Sequence, residues 1–287
     1  MLRLYCERIM SNITIGQYYH ENSILHRLDP RVKLIGTAIF VIVLFAANNI
    51  ISYSVITLAL ILTISLSKVP FLRLLKGIRP ILVILLISAM CNMLFTKGGE
   101  VLFSYGVINI TKSGVIKSVY IAVRLIYLVI GTSVMTLTTK PSDIADGLEK
   151  IFGFLTKIKI PVHEIAMMMS LALRFIPTLM EESDKIIRAQ KARGADFDSG
   201  GLIRRIKNYL PILVPLFISA INRAMELANA MDARCYSGGK RTKMKPLKYA
   251  RRDFYAYGIL IAFLITIVII DVLISRFGSC YVFTFFV

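Results

Sequence analysis

Residues 34–67 carry no charged side chain. A helix needs about 20 mostly apolar residues to cross a bilayer. In lipid every backbone N–H and C=O must be paired within the protein, which restricts spanning segments to helices or closed barrels. The run predicts two spans, roughly 34–51 and 52–66, the second short enough to be tilted or partly interfacial. Segments 78–95, 119–137 and 257–274 qualify as three more. The composition agrees: 56% of residues are hydrophobic and only 18% charged, with the charges concentrated in one central block.

The formal net charge of +18 would suit nucleic acid or an anionic surface in a soluble protein. Beside membrane spans it reads as retention of Lys and Arg on the cytoplasmic side. Arg3, Arg8, Arg27, Arg31 and Lys33 precede the first span, and Lys68, Arg73, Lys76 and Arg79 lie between the second and third. Residues 46–53 carry no charge, and Lys97, Glu100, Lys112 and Lys117 give the next loop only a weak bias. This alternation predicts a multi-pass cell-membrane protein with a cytoplasmic N-terminus, a cytoplasmic basic block and an external tail. Arg3, Glu7 and Arg8, followed by a polar run, argue against a cleaved signal peptide. Cys6, Cys91, Cys235 and Cys280 lie far apart and predict neither disulfides nor a zinc site.

The block 140–252 is expected to be too polar to span, yet it has helical periodicity. A short amphipathic helix should follow Pro141, with Ser142 as N-cap and Ile144, Leu148, Ile151, Phe152 and Leu155 on one face. Pro161 opens a longer helix, with Ile165, Met168, Met169, Ala172, Leu173 and Ile176 at helical spacing, that should stop at Gly194. The Met168-Met169 pair reads as core packing in preference to a partner surface. Gly200-Gly201 breaks the chain. A third helix runs from about Leu202 to Arg234, and Pro211 and Pro215 should kink or divide it. The expected fold is an all-α polytopic membrane protein. It has about five transmembrane helices and a cytoplasmic domain of three helices, two of them long. Residues 1–137 form an N-terminal membrane region, 138–253 the cytoplasmic domain and 254–287 the last span.

The two long helices end alike, in Ala189-x-x-Ala192-Arg193 and Ala230-x-x-Ala233-Arg234. Small residues one turn apart let another backbone approach. Arg adds a planar fork that can hold a carboxylate through two hydrogen bonds. One Arg at a helix C-terminus need only complement the helix dipole. Two, at the ends of both long helices, point to docking on a partner.

At this point the sequence resembles the T components of energy-coupling factor (ECF) transporters, the transmembrane coupling subunits of a class of ABC importers. That family carries Ala-Arg-Gly at the ends of two coupling helices. Here the first is Ala192-Arg193-Gly194, and the second position reads Ala233-Arg234-Cys235. The family also opens with a segment like Gly16-x-Tyr18, then Ser23-x-x-His26-Arg27-Leu28-Asp29-Pro30-Arg31-x-Lys33-Leu34. The likeness extends from about Gly16 to Tyr236, and the last span fits it. The resemblance implies a non-catalytic subunit that binds two ABC-type ATPases, expected to be a heterodimer, and a small membrane substrate-binding (S) subunit. It would couple ATPase closure to uptake of a vitamin or transition metal. Arg193 and Arg234 would pair with acidic grooves on the ATPases. The chain would hold no cofactor itself, ATP and Mg being bound by the ATPases. Cys235 departs from the pattern: a Gly supplies the left-handed conformation that ends a helix. With Cys there, the helix is expected to run on to Gly238 or end differently.

Other signals are weaker. Gly239-Lys240 has Arg234 where a Walker A loop needs its first Gly, five positions before Gly239, and Arg241 where it needs Ser or Thr, so no ATP hydrolysis is expected from this chain. His20, His26 and His163 show no metal-ligand spacing; His26 reads as a cap or anchor of the first helix. Arg124 and Asp271 lie inside spans, where charges are either functional or snorkel outward. The alternatives are a conventional ABC-importer permease, loosely echoed by Gly194 and Leu210-Pro211, and an intramembrane enzyme, for which the spans offer few ionisable groups.

Overall fold

The structure, a computed structural model, describes residues 18–19, 21, 23–47, 49–95, 101–105, 108–195, 202–236 and 247–277. The expectations for residues 1–17, His20, Gly200-Gly201, the 237–241 loop, Cys6 and the tail with Cys280 lie outside these. Among the described residues the chain is all-α apart from one hairpin. The order is α1 (Pro30–Ala46), α2 (Ile50–Ser67), α3 (Phe71–Ile78), a 3-10 turn (Arg79–Ile81), α4 (Leu82–Phe95) and antiparallel strands β1 (Val101–Tyr105) and β2 (Ile108–Thr111). Then come α5 (Lys112–Thr138), α6 (Pro141–Ile151), a 3-10 segment (Phe152–Ile158), α7 (Val162–Ala192), α8 (Leu202–Asp232) and α9 (Arg251–Phe277). The chain divides into two compact units, Met1–Ile151 with Leu247–Val287, and Phe152–Pro246.

Among the described residues five helices are long and apolar enough to cross a membrane: Ile50–Ser67, Lys112–Thr138, Val162–Ala192, Asn208–Asp232 and Arg251–Ile274. The set differs from the sequence expectation. α1 has only 17 residues, ending before Asn49, and the 78–95 segment is interrupted by the turn at Arg79-Pro80-Ile81. The block expected to be too polar contributes two helices, because α7 is largely apolar up to Met180 and α8 from Tyr209 to Asn222; they are the least apolar of the five, with mean hydropathy 1.2 and 1.4 against 1.8 to 2.8.

In the first unit α5 packs against α1, α2, α3 and α4. Val43, Leu44, Ala47, Tyr53, Ile56 and Ile267 form its largest buried apolar cluster, joining α1, α2 and α9. Contact with α1 is close at Gly131, where an added Cβ would strike the Phe40 ring. The two intramembrane charges are not alone. Arg124 donates from Nε to the Tyr53 hydroxyl (3.0 Å) and from a terminal nitrogen to Ala47 O (3.3 Å). Asp271 accepts from Asn49 Nδ2 and Ser52 Oγ, both at 2.8 Å. Both charges brace the turn between α1 and α2.

The opposite ends of these helices are stitched by the segment before α1. Asp29 caps α1, accepting from the Arg31 N–H (2.9 Å), with Pro30 at the first helical position, where a missing N–H costs nothing. Buried Asp253, in the first turn of α9, serves two helices at once: one oxygen accepts from Ala250 N–H (2.7 Å), the other from Asp29 N–H (3.0 Å). Arg31 reaches Leu247 O (3.4 Å) and covers the Tyr249 ring. The end of α5 is closed from the same segment: Tyr19 N–H donates to Leu137 O and Lys33 Nζ to Thr138 O, each at 2.9 Å. Burial pushes the Lys33 ammonium down to about 8, against the raising influence of Asp143 and Asp29. His26 accepts from Ser23 Oγ at Nδ1 (2.7 Å) and donates from Nε2 to Tyr19 O (2.9 Å), so it anchors the approach to α1 without capping the helix.

Ser142 does not cap α6. The helix starts at Pro141, and Lys140 O receives the first N–H groups, so Ser142 sits one position inside. The face packed on α1 is made of small residues: Ala145 and Gly147 are buried, Gly147 against Leu34 and Pro30, while Phe152 is exposed. In the second unit α7 and α8 pack together, each continuous through its prolines, Pro177 in α7 and Pro211 and Pro215 in α8. α8 is therefore not divided in two. Met168 and Met169 are 57% and 40% exposed, so they are surface and not core.

Because the α1–α5 approach leaves no room at residue 131, Gly131→Ala is expected to cost about 1–3 kcal/mol through overpacking. Thermal unfolding in detergent micelles measures it; an unchanged midpoint would show that the two helices do not meet there.

Candidate functional site

The two Arg-bearing ends are built by the same backbone device. At the end of α7, Gly194 has φ +84°, the left-handed region. Its N–H donates to Lys191 O and the Ala195 N–H to Gln190 O, both at 3.0 Å. This crossed pair is a Schellman motif, which satisfies carbonyls the helix would otherwise leave open. At the end of α8, Cys235 has φ +55°, its N–H donates to Asp232 O (2.9 Å) and the Tyr236 N–H to Met231 O (3.1 Å). The second end is thus a Schellman motif too. The expectation that Cys235 would extend or alter the helix end is corrected: Cys itself takes the left-handed position, because two backbone hydrogen bonds outweigh a penalty of about 1–2 kcal/mol.

Arg193 and Arg234 occupy the same position in each motif, the last residue before the left-handed one, and both are exposed. Neither has an ion-pair partner among the described residues. Ala189, Ala192, Ala230 and Ala233 are also exposed, as are Gly194 and Cys235. Each end therefore offers a small-residue face beside a guanidinium whose donors are free to meet an outside carboxylate. Cys91 and Cys235 are free and exposed. Among the described residues no three His, Cys, Asp or Glu side chains are placed to hold a metal ion.

The sequence reading missed what joins these helices. Glu182 of α7 accepts from Ser219 Oγ of α8 and pairs with the Arg223 guanidinium at 3.3 Å; Arg223 also lies over the Phe175 ring. The only sequence signal was the position of Glu182 and Arg223 relative to the two motifs.

Residues 21–246 match the model of the family described as CbiQ, cobalt transport protein. The chain belongs to the CbiQ/EcfT family of ECF transporter T components. It is 49% identical over 250 residues to the energy-coupling factor transporter transmembrane protein EcfT of Clostridium kluyveri, covering 86% of this chain and 93% of that one. It is 46% identical over 264 residues to EcfT of Ruminiclostridium cellulolyticum, covering 92% and 98%, and 47% over 246 residues to that of Bacillus subtilis, covering 85% and 93%. The conventional permease reading gives way to this family. The T component is a multi-pass membrane protein of a multi-subunit transporter.

The matched caps have opposite responses to substitution at the left-handed position. Gly194→Ala should destabilise the α7 end by about 1 kcal/mol, since Ala tolerates positive φ poorly. Cys235→Gly should leave the α8 end as stable or more so. Hydrogen exchange at Ala195 and Tyr236 reads each end separately; equal protection loss in both variants would contradict the motif assignment.

Proposed function

We propose that this T component couples two ABC-type ATPases to a small substrate-binding membrane subunit, with Arg193 and Arg234 as the docking residues. The observation that carries this reading is the pair of like Schellman ends, each presenting an exposed, ion-unpaired Arg beside exposed alanines. A planar guanidinium on a rigid helix end can hold a carboxylate through two hydrogen bonds, and the small residues let a groove wall close around it. ATP and Mg would be bound by the ATPases, whose closure would move the two helices and reorient the substrate-binding subunit. In this reading the chain has no catalytic site, and its cargo class is a vitamin or a transition metal ion. The neighbouring charges differ, Lys191 beside one motif and Asp232 beside the other, which favours two non-identical ATPases.

Arg193→Glu and Arg234→Glu should each weaken ATPase retention by about 2–5 kcal/mol, more than the matching Ala variants, because repulsion replaces a desolvated charge pair. Co-purification from membranes expressing the whole transporter measures this. Retention equal to the unsubstituted chain would remove the docking role.

The basic segments around residues 27–33, 68–79 and 140–252 support a cytoplasmic N-terminus and cytoplasmic Arg-bearing helix ends. Exposed Cys235 should therefore react with an impermeant maleimide in inside-out vesicles and resist it in right-side-out ones. The reverse pattern would invert the topology.

A further inference from the structure

The contact between α7 and α8 is not placed at random along the two helices. Arg193 follows Glu182 by eleven positions, and Arg234 follows Arg223 by eleven. The two Ala-x-x-Ala-Arg motifs are offset by 41 residues, and so are Glu182 and Arg223. Equivalent positions of an imperfect repeat therefore meet each other. That is what happens on the axis when two like elements cross with local two-fold symmetry. Identical residues there would face themselves. Here one is acidic and the other basic, so the contact becomes attractive, with Ser219 as an additional donor to Glu182.

We propose that Glu182 and Arg223 form the fulcrum of the α7–α8 pair, setting equal arms to the two Arg-bearing ends. At a rise of about 1.5 Å per residue each arm is about 16 Å long. Eleven residues are also close to three full turns at about 3.6 per turn, so each fulcrum residue lies on nearly the same side of its helix as the docking Arg. The side chains of the pair are 35% and 27% exposed, so it adds little stability. What such a pair supplies is register: sliding either helix by one residue separates the charges. Glu182, Ser219 and Arg223 are positioning residues, holding the docking ends at a spacing that two ATPases can span. The stacking of Arg223 on Phe175 holds the guanidinium in place as the arms open or close.

The fulcrum gains its functional meaning from the docking role proposed above, but its geometry can be tested separately. Spin labels at Arg188→Cys and Asn229→Cys, equivalent exposed positions on the two arms, report the arm separation. The measurement uses the full-length chain in the assembled transporter in nanodiscs, with the native cysteines replaced. Glu182→Ala and Arg223→Glu should each broaden the distance distribution, and the swapped pair Glu182→Arg with Arg223→Glu should narrow it again. An unchanged distribution in Glu182→Ala, or a swapped pair as broad as the single variants, would overturn the fulcrum. Recovery in the swapped pair separates a positional role from simple misfolding. ATPase retention is scored on the same preparations. Its absence from the unsubstituted chain would refute docking while the distances still decide the fulcrum.

Discussion

A helix leaves four N–H groups open at one end and four C=O groups open at the other, and next to a membrane there is little water to satisfy them. The two units of this protein meet that constraint in different ways. In the first, helix ends satisfy one another through side chains. Asp253 serves the N-termini of α1 and α9, while Tyr19 and Lys33 close the last carbonyls of α5. The result is a clasp in which losing one member exposes buried partners on two helices, each at a cost of about 1–3 kcal/mol. In the second unit the long helices close their own C-terminal ends through the backbone alone. That self-sufficiency leaves the side chains at those ends, Arg193 and Arg234, available to a partner.

The clasp gives physical content to the family's opening motif. Ser23 holds His26, His26 holds the Tyr19 carbonyl, Asp29 caps α1, Arg31 reaches the start of α9, and Lys33 closes α5. The motif is visible in the sequence, but its purpose is not, because the partners that tie it to other helices, Thr138 and Leu247, lie 105 and 216 residues away in the chain. The apolar runs were legible for a similar reason in reverse: they depend only on the chain's own order, and the all-α membrane architecture followed from them. Local strain was read less well. Cys235 was judged by its intrinsic preference, which the two hydrogen bonds of the motif override. Pro211 and Pro215 suggest a kink or a division of α8, yet the helix stays continuous, because each removes only one hydrogen bond from a helix held by packing against α7. The interruption at Arg79-Pro80-Ile81 and the β1–β2 hairpin were missed, because an apolar average hides short irregular segments.

The likeness of the two Arg-bearing helix ends was legible in the sequence because their motif repeats, and repetition is a signal that does not depend on context. The Glu182–Arg223 contact repeats in position but not in residue type, so only the structure exposed it. In the proposed reading the two features make a pair of levers with equal arms, a polar crossing and a cation at each tip.

The central claim is that both tips seat on ATPases at once. Site-specific photocrosslinking from Ala192 and Ala233 in the assembled transporter tests it most directly. The account predicts an ATPase crosslink from each position, lost when the adjacent Arg193 or Arg234 is changed to Glu. Crosslinks from either tip to lipid alone, in a preparation that retains its ATPases, would contradict it.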